Sequence, residues 1–128
     1  MHSPFQVNIT NISEVRMGSP YNTCEIELVG FDKVRLAKNG WQDKYAWTSD
    51  FSKLVLIKLD FENNTPGFHF FVINVNTGKA EETNRYFGLI NKISIVESKI
   101  IINKFLHDKL KSKPGELCCE VDEEFEIL

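Results

Sequence analysis

The sequence is poor in the residues that usually carry out chemistry. Its 128 residues include three cysteines, three histidines and three arginines. Cys24 and the adjacent pair Cys118 and Cys119 form no disulfide framework suited to a chain that builds its own core, so reduced thiols are expected. The motifs G-x-S-x-G and H-E-x-x-H and a phosphate-binding glycine loop are also missing. These absences argue against disulfide-rich domains, serine hydrolases, nucleotide-binding proteins and zinc proteases.

The chain also lacks a long hydrophobic run. No apolar stretch approaches the roughly 18 residues that a membrane-spanning helix needs. The first residues, "MHSPFQVNITNIS", contain neither the basic segment nor the apolar block of a secretory signal. The length and the hydrophobic content of 42% predict one domain, residues 1–128. We therefore expect a cytoplasmic protein with no membrane partner.

Few residues remain as candidates for catalysis or metal binding. His69, in "FHFFVINV", is expected to be a strand histidine with satisfied hydrogen bonds. His107 with Cys118 and Cys119 offers zinc ligands, but adjacent cysteines on a strand point to opposite faces and do not converge on one metal. The sequence thus predicts no enzyme, no metal and no cofactor. An enzyme whose catalytic carboxylates are scattered along the chain is the disfavoured alternative.

Short apolar or alternating runs dominate the sequence. Turn-forming segments such as Asn39-Gly40 separate them, and none keeps a helical period over several turns. This pattern predicts an all-β, mostly antiparallel meander of about seven or eight strands, with a helical turn allowed near 79–86 or 105–111. The predicted strands are "FQVNI", "CEIEL", "DKVRL", "SKLVLIKLDF", "FHFFVINV", "NKISIV" and "KIIINKF".

The glycines recur at a regular distance. Gly18, Gly30 and Gly40 are followed 48 or 49 residues later by Gly67, Gly78 and Gly88. The spacing lies within the roughly 40 to 50 residues of a propeller blade. It predicts two blade-like units, at about 18–66 and 67–115, followed by an acidic terminal strand at 117–127.

Residues 47–79, "WTSDFSKLVLIKLDFENNTPGFHFFVINVNTGK", resemble a blade of bacterial β-propellers. The resemblance implies that Trp47 packs between sheet layers, that Asp50 caps a turn and that Gly78 adopts a left-handed conformation. Asn74 stands where that family usually has aspartate. Because 128 residues hold fewer than three such units, open blade-like sheets or a sandwich are expected rather than a closed propeller.

Charge is distributed unevenly along the chain. Residues 1–115 hold all 15 lysines and arginines and 12 of the 18 acids, a net +3, whereas residues 116–128 hold six acids and no base. Lysines cluster just before the acidic end, at 104–113. The chain shows no broad basic stripe, so direct nucleic-acid binding is not expected.

The acidic end has the alternation of a strand. Glu120, Asp122, Glu124 and Glu126 occupy even positions, and apolar residues occupy most odd ones. Glu123 interrupts the apolar face and favours a bulge or a frayed end. The carboxylates are expected on one face of the strand, where a basic partner can bind. The simpler interpretations are an edge strand whose charges prevent aggregation, or a disordered tail.

In size, acidity and lack of catalytic motifs, the chain resembles the immunity proteins encoded beside bacterial polymorphic toxins, including those of contact-dependent growth inhibition. The resemblance implies a non-catalytic inhibitor that binds a cognate toxin domain, with a basic nuclease as the expected kind of toxin. It transfers no residue from a family pattern. The predicted contact residues are Glu120, Asp122, Glu124 and Glu126, with Trp41 exposed after Asn39-Gly40. The alternative is an orphan blade-like structural or protein-binding module. No oligomeric state follows from the sequence.

Overall fold

The computed structural model describes residues 3–14, 22–60, 66–106 and 119–128, and every regular element in these ranges is a β-strand. The first sheet contains β1 (Gln6–Glu14), β2 (Asn22–Val29), β3 (Trp41–Trp47), β4 (Lys53–Asp60), β5 (Gly67–Asn74), β6 (Ala80–Glu82) and β7 (Tyr86–Phe87). The second contains β8 (Leu89–Val96), β9 (Lys99–Leu106) and β10 (Cys119–Phe125).

Both sheets are antiparallel and follow the chain order. The first runs β1-β2-β3-β4-β5-β6, with β7 also paired to β5, and the second runs β10-β9-β8. The described strands do not close into a ring. The prediction of an all-β antiparallel meander with open sheets is therefore confirmed. Among these residues no helix is long and apolar enough to cross a membrane.

The β4–β5 hairpin lies at the centre of the fold because both of its faces are buried. Leu54, Val55, Leu56 and Ile57 are fully buried, which explains their continuous apolar run. Leu54 and Leu56 belong to one hydrophobic cluster, whereas Val55 and Ile57 belong to another on the opposite face. Eight uninterrupted residue pairs join the two strands. The hairpin thus separates two cores and belongs to both.

The first core lies between this hairpin and the N-terminal strands. Cys24 and Ile26 of β2 are buried in it, as their alternation predicts. The segment "DKVRL" is not a strand, contrary to expectation. It lies between β2 and β3 in the chain, and these two strands pair directly with each other, so it takes no place between them in the sheet. Val34 and Leu36 instead pack on the cluster from a loop. Their spacing reflects contact with the core and not pairing with a neighbouring strand.

The second core lies between the hairpin and the second sheet. Phe68 and Phe70 of β5 meet Ile90, Ile100 and Ile102 there. Gln42 of β3 is buried and donates a hydrogen bond from Nε2 to the Ile90 carbonyl at 2.6 Å.

The helical turn that the sequence allowed near 79–86 does not form, since these residues include β6 and the start of β7. Both β6 and β7 pair with β5. Their backbone hydrogen bonds are therefore made across the sheet and not within a helical turn. In the other candidate region, residues 105 and 106 belong to β9, and 107–111 lie outside the described residues. The first sheet crosses the boundary proposed at residue 66, and the two-unit repeat stays a prediction.

Two local expectations drawn from the blade resemblance are met. Asp50 Oδ1 accepts hydrogen bonds from the Ser52 amide at 3.0 Å and from the Thr48 hydroxyl at 2.8 Å. The hydrogen bonds from Ser52 and then Thr48 lower the pKa of Asp50 to about 2. Gly78 has a φ of 74°, a left-handed conformation that is strained for residues with a side chain. A Cβ atom added at this position would lie 2.9 Å from Lys33 Cβ.

The two tryptophans differ in burial from what the sequence predicts. Trp41 was expected at the surface, but it is 1% exposed and belongs to the first core. Its indole donates to the Ala37 carbonyl at 2.9 Å, and its ring lies 5.3 Å from that of Phe71. Trp47 packs on the first core but is half-buried. Sequence reasoning missed β3, because "WQDKYAW" interrupts the apolar alternation with charges.

Trp41→Ala should lower the free energy of unfolding by about 3 to 5 kcal/mol, because it leaves a cavity in a packed core. Trp47→Ala is the matched control and should cost less, since that side chain is partly solvated. Urea denaturation of the two variants checks this order. An equal or larger loss in Trp47→Ala would contradict the placement of Trp41.

Candidate partner-binding surface

The acidic end of the chain forms an ordered strand at the edge of the second sheet. β10 pairs with β9 over seven consecutive residues, from Cys119 opposite Leu106 to Phe125 opposite Ile100. No other described strand pairs with its outer side. Of the strand predicted at 117–127, the structure shows residues 119–125 as β10, and residues 117 and 118 lie outside the described residues.

The even-numbered carboxylates of this strand face solvent. Glu120, Asp122, Glu124 and Glu126 are all exposed, and we call them the acidic row. Alternate residues of an antiparallel strand are about 6.8 Å apart, so the first three form a regular line on one face. Glu126 follows directly after the end of β10.

The odd-numbered residues anchor the strand to the second core. Phe125 packs with its ring centroid 5.0 Å from that of Phe70 and 4.7 Å from that of Tyr86. Val121 and Glu123 are half-buried on the same face. Packing of the inner face of β10 on the second core therefore fixes the position of the acidic row on its outer face.

Glu123 lies on the inner face, where its carboxylate pairs with the ammonium group of a buried lysine. Its Oε1 is 2.7 Å from Lys104 Nζ, and the Lys104 side chain is 5% exposed. Lys104 stands opposite Val121, so Glu123 reaches it diagonally across the ladder. The expected bulge or frayed end at Glu123 is wrong, since the pairing there is uninterrupted.

Sequence reasoning grouped Lys104 with the lysines at 104–113 and missed this pair. The signal was present in "KIIINKF", where Ile100, Ile102 and Lys104 share one face at a period of two. A lysine on such a face needs a carboxylate partner, because an unpaired buried charge is costly.

Two members of the acidic row have polar contacts within the sheet. Asn103 Nδ2 donates to Asp122 Oδ1 at 2.7 Å, and Asn91 Nδ2 donates to Asn103 Oδ1 at 3.0 Å. Lys99 Nζ lies 3.4 Å from Glu126 Oε1. In contrast, Glu120 and Glu124 form no ion pair with any described residue. The row is thus partly fixed by its own sheet and partly available to a partner.

Trp41 does not belong to this surface. It was predicted as a contact residue because it follows the Asn39-Gly40 turn, yet it is buried in the first core, on the other side of the β4–β5 hairpin. A buried indole offers no area to a partner. Of the predicted contact residues, only the acidic row lies at the surface.

The other titratable groups fit structural roles. Cys24 is buried, and desolvation followed by the charge of Asp43 raises its pKa to about 11, which keeps the thiol protonated and unreactive. No group of three or more histidine, cysteine or acidic residues that could hold a metal occurs in the described ranges. His107 and Cys118 lie outside those ranges.

A shallow groove of about 550 Å³ lies where β3 meets β8. Its lining combines both charges and an exposed tyrosine: Asp43, Lys44, Tyr45, Lys92, Ile93 and Ser94. Asp43 already accepts a hydrogen bond from Asn22 Nδ2 at 2.9 Å. Among these lining residues, no nucleophile is hydrogen-bonded to a base in the way that a catalytic site requires.

Comparison of the chain with protein-family models, with curated proteins and with solved structures found no match. The chain is accordingly assigned to no family. The resemblances to propeller blades and to toxin-immunity proteins stay predictions.

Glu123→Gln should lower the free energy of unfolding by about 3 kcal/mol, because it leaves the Lys104 ammonium buried without a counter-charge. Glu124→Gln makes the same chemical change on the exposed face and should stay within about 0.5 kcal/mol of the parent. Denaturant unfolding measures both. Equal stability of the two variants would contradict the importance of the buried pair.

Proposed function

We propose that this chain is a non-catalytic inhibitor that binds a basic toxin domain and neutralises it, as an immunity protein does. The toxin domain is a nuclease, because nucleases present lysines and arginines to phosphates. The observation that supports the proposal is the acidic row, four exposed carboxylates of which three lie on one face of an edge strand and the fourth follows its end.

The acidic row can take the place of phosphates in such a groove. Each carboxylate accepts hydrogen bonds from lysine or arginine, and the regular spacing allows several contacts at once. Residues 1–115 carry a net +3 and would by themselves repel a basic partner. The inhibitor therefore needs the acidic end to attract its target, which also accelerates encounter.

The magnitudes indicate what the row contributes. A solvent-exposed ion pair is worth about 0.2 to 1 kcal/mol, so four such pairs do not account for tight inhibition. Apolar contacts elsewhere in the interface must supply the remainder. We expect the row to govern association rate and specificity more than the final affinity.

Co-purification from the native host, followed by identification of the bound chain, tests the class of partner. We expect a nuclease domain encoded directly upstream, as the C-terminal part of a larger toxin. A partner from a metabolic or envelope complex would favour the alternative, a structural or protein-binding module.

Replacing Glu120, Asp122, Glu124 and Glu126 by lysine should weaken binding of the purified toxin domain by at least about tenfold. Most of the loss should appear in the association rate, because like charges then repel. The salt dependence of binding should flatten or reverse. Surface plasmon resonance at several salt concentrations measures these quantities.

The matched control makes the same charge change elsewhere, with Glu27, Asp32, Glu81 and Glu97 replaced by lysine. All four are exposed and lie outside β10, three of them in the first sheet or its loops and Glu97 in the turn between β8 and β9. This variant should retain more of the association rate than the first. If both variants lose binding equally, net charge and not the acidic row is responsible; if the first binds normally, the row is not the contact surface.

A further inference from the structure

His69 of β5 has a hydrogen-bond acceptor at each ring nitrogen. Nδ1 lies 2.8 Å from the Thr83 carbonyl oxygen, and Nε2 lies 3.0 Å from Asp60 Oδ2. A neutral imidazole has one N–H donor and one lone pair, so it can donate to only one of these oxygens. The imidazolium ion has two donors and satisfies both. The geometry therefore selects the protonated ring.

These two contacts connect separate parts of the sheet. Asp60 is the last residue of β4, whereas Thr83 lies in the connection between β6 and β7. Thr83 also exchanges hydrogen bonds with Phe70, from the Phe70 amide to Thr83 Oγ1 at 3.0 Å and from the Thr83 amide to the Phe70 carbonyl at 2.9 Å. The His69 ring thus ties residues 80–87 to the β4–β5 hairpin.

Charged groups surround the ring on each neighbouring element. On β4, Asp60 contacts it and Lys58 is its register partner, with Lys58 Nζ turned away to the Asn39 carbonyl at 3.1 Å. Glu82 on β6 contributes a negative charge, and Arg85 Nε lies 3.4 Å from Asp60 Oδ1.

The charge state of the ring depends on opposing effects. Desolvation disfavours the imidazolium, but the hydrogen bonds to Thr83 and Asp60 and the charges of Glu82 and Asp60 outweigh it. The pKa of His69 is consequently raised above its ordinary value of 6.5.

We propose that His69 is a pH-sensitive latch that holds residues 80–87 on the edge of the first sheet when its ring is protonated and loosens them when the ring is neutral. Its contribution to stability is complete below pH 6.5 and is lost as the pH rises through the pKa of the folded state. β6 and β7 cover the outer side of β5. Opening the latch therefore exposes a strand edge that can pair with another chain.

The test uses the full chain and combines NMR titration of the His69 ring with hydrogen exchange of the Thr83 amide. The ring should titrate above pH 6.5. The protection factor of the Thr83 amide, corrected for intrinsic exchange, should fall about tenfold above that midpoint, as expected for the loss of one charge-assisted hydrogen bond. His69→Gln, which does not titrate, should show no such step.

Asp60→Asn separates electrostatics from folding. It removes the carboxylate charge and should lower the midpoint of His69, with the exchange step moving by the same amount. Asp32→Asn is the control, since it removes an exposed carboxylate from a loop and should leave the midpoint unchanged. A wild-type midpoint at or below 6.5, or the same exchange step in His69→Gln, would overturn the proposal. The latch does not depend on the proposed function.

Discussion

The burial of the β4–β5 hairpin on both faces is the constraint on which the rest of the structure depends. A hairpin that is apolar on both faces requires other residues to pack on each face. Residues that precede the hairpin in the sequence pack on one face, and residues that follow it pack on the other. The N-terminal strands and the loop at 31–40 cover one face, and the second sheet covers the other. The acidic row is positioned through this same requirement, since Phe125 belongs to the second cover.

The sequence predicted those elements whose own pattern contains the information. Alternation identified β2 and β10, and the apolar run "KLVLI" identified β4 as a strand. It failed where tertiary contact decides the outcome. Val34 and Leu36 look like strand residues but reach the core from a loop, and β3 is paired although charged residues interrupt its alternation.

The candidate site was predictable in part. The row of even carboxylates follows from a period of two, and the structure adds which of them already have partners. Trp41 is buried in contact with Phe71 of β5, and the pairing of Lys104 with Glu123 joins residues of different strands. Neither relation is local, so a single sequence gives little indication of them.

The two faces of β10 differ in their capacity for evolutionary change. Phe125 and Glu123 are constrained by the core and by Lys104, so few substitutions are tolerated there. Glu120 and Glu124 are exposed and form no ion pair with a described residue, so we expect exchanges at these positions to leave folding almost unaffected. A lineage can therefore alter the chemistry of this surface by single mutations, one position at a time, without first acquiring compensating changes in the interior.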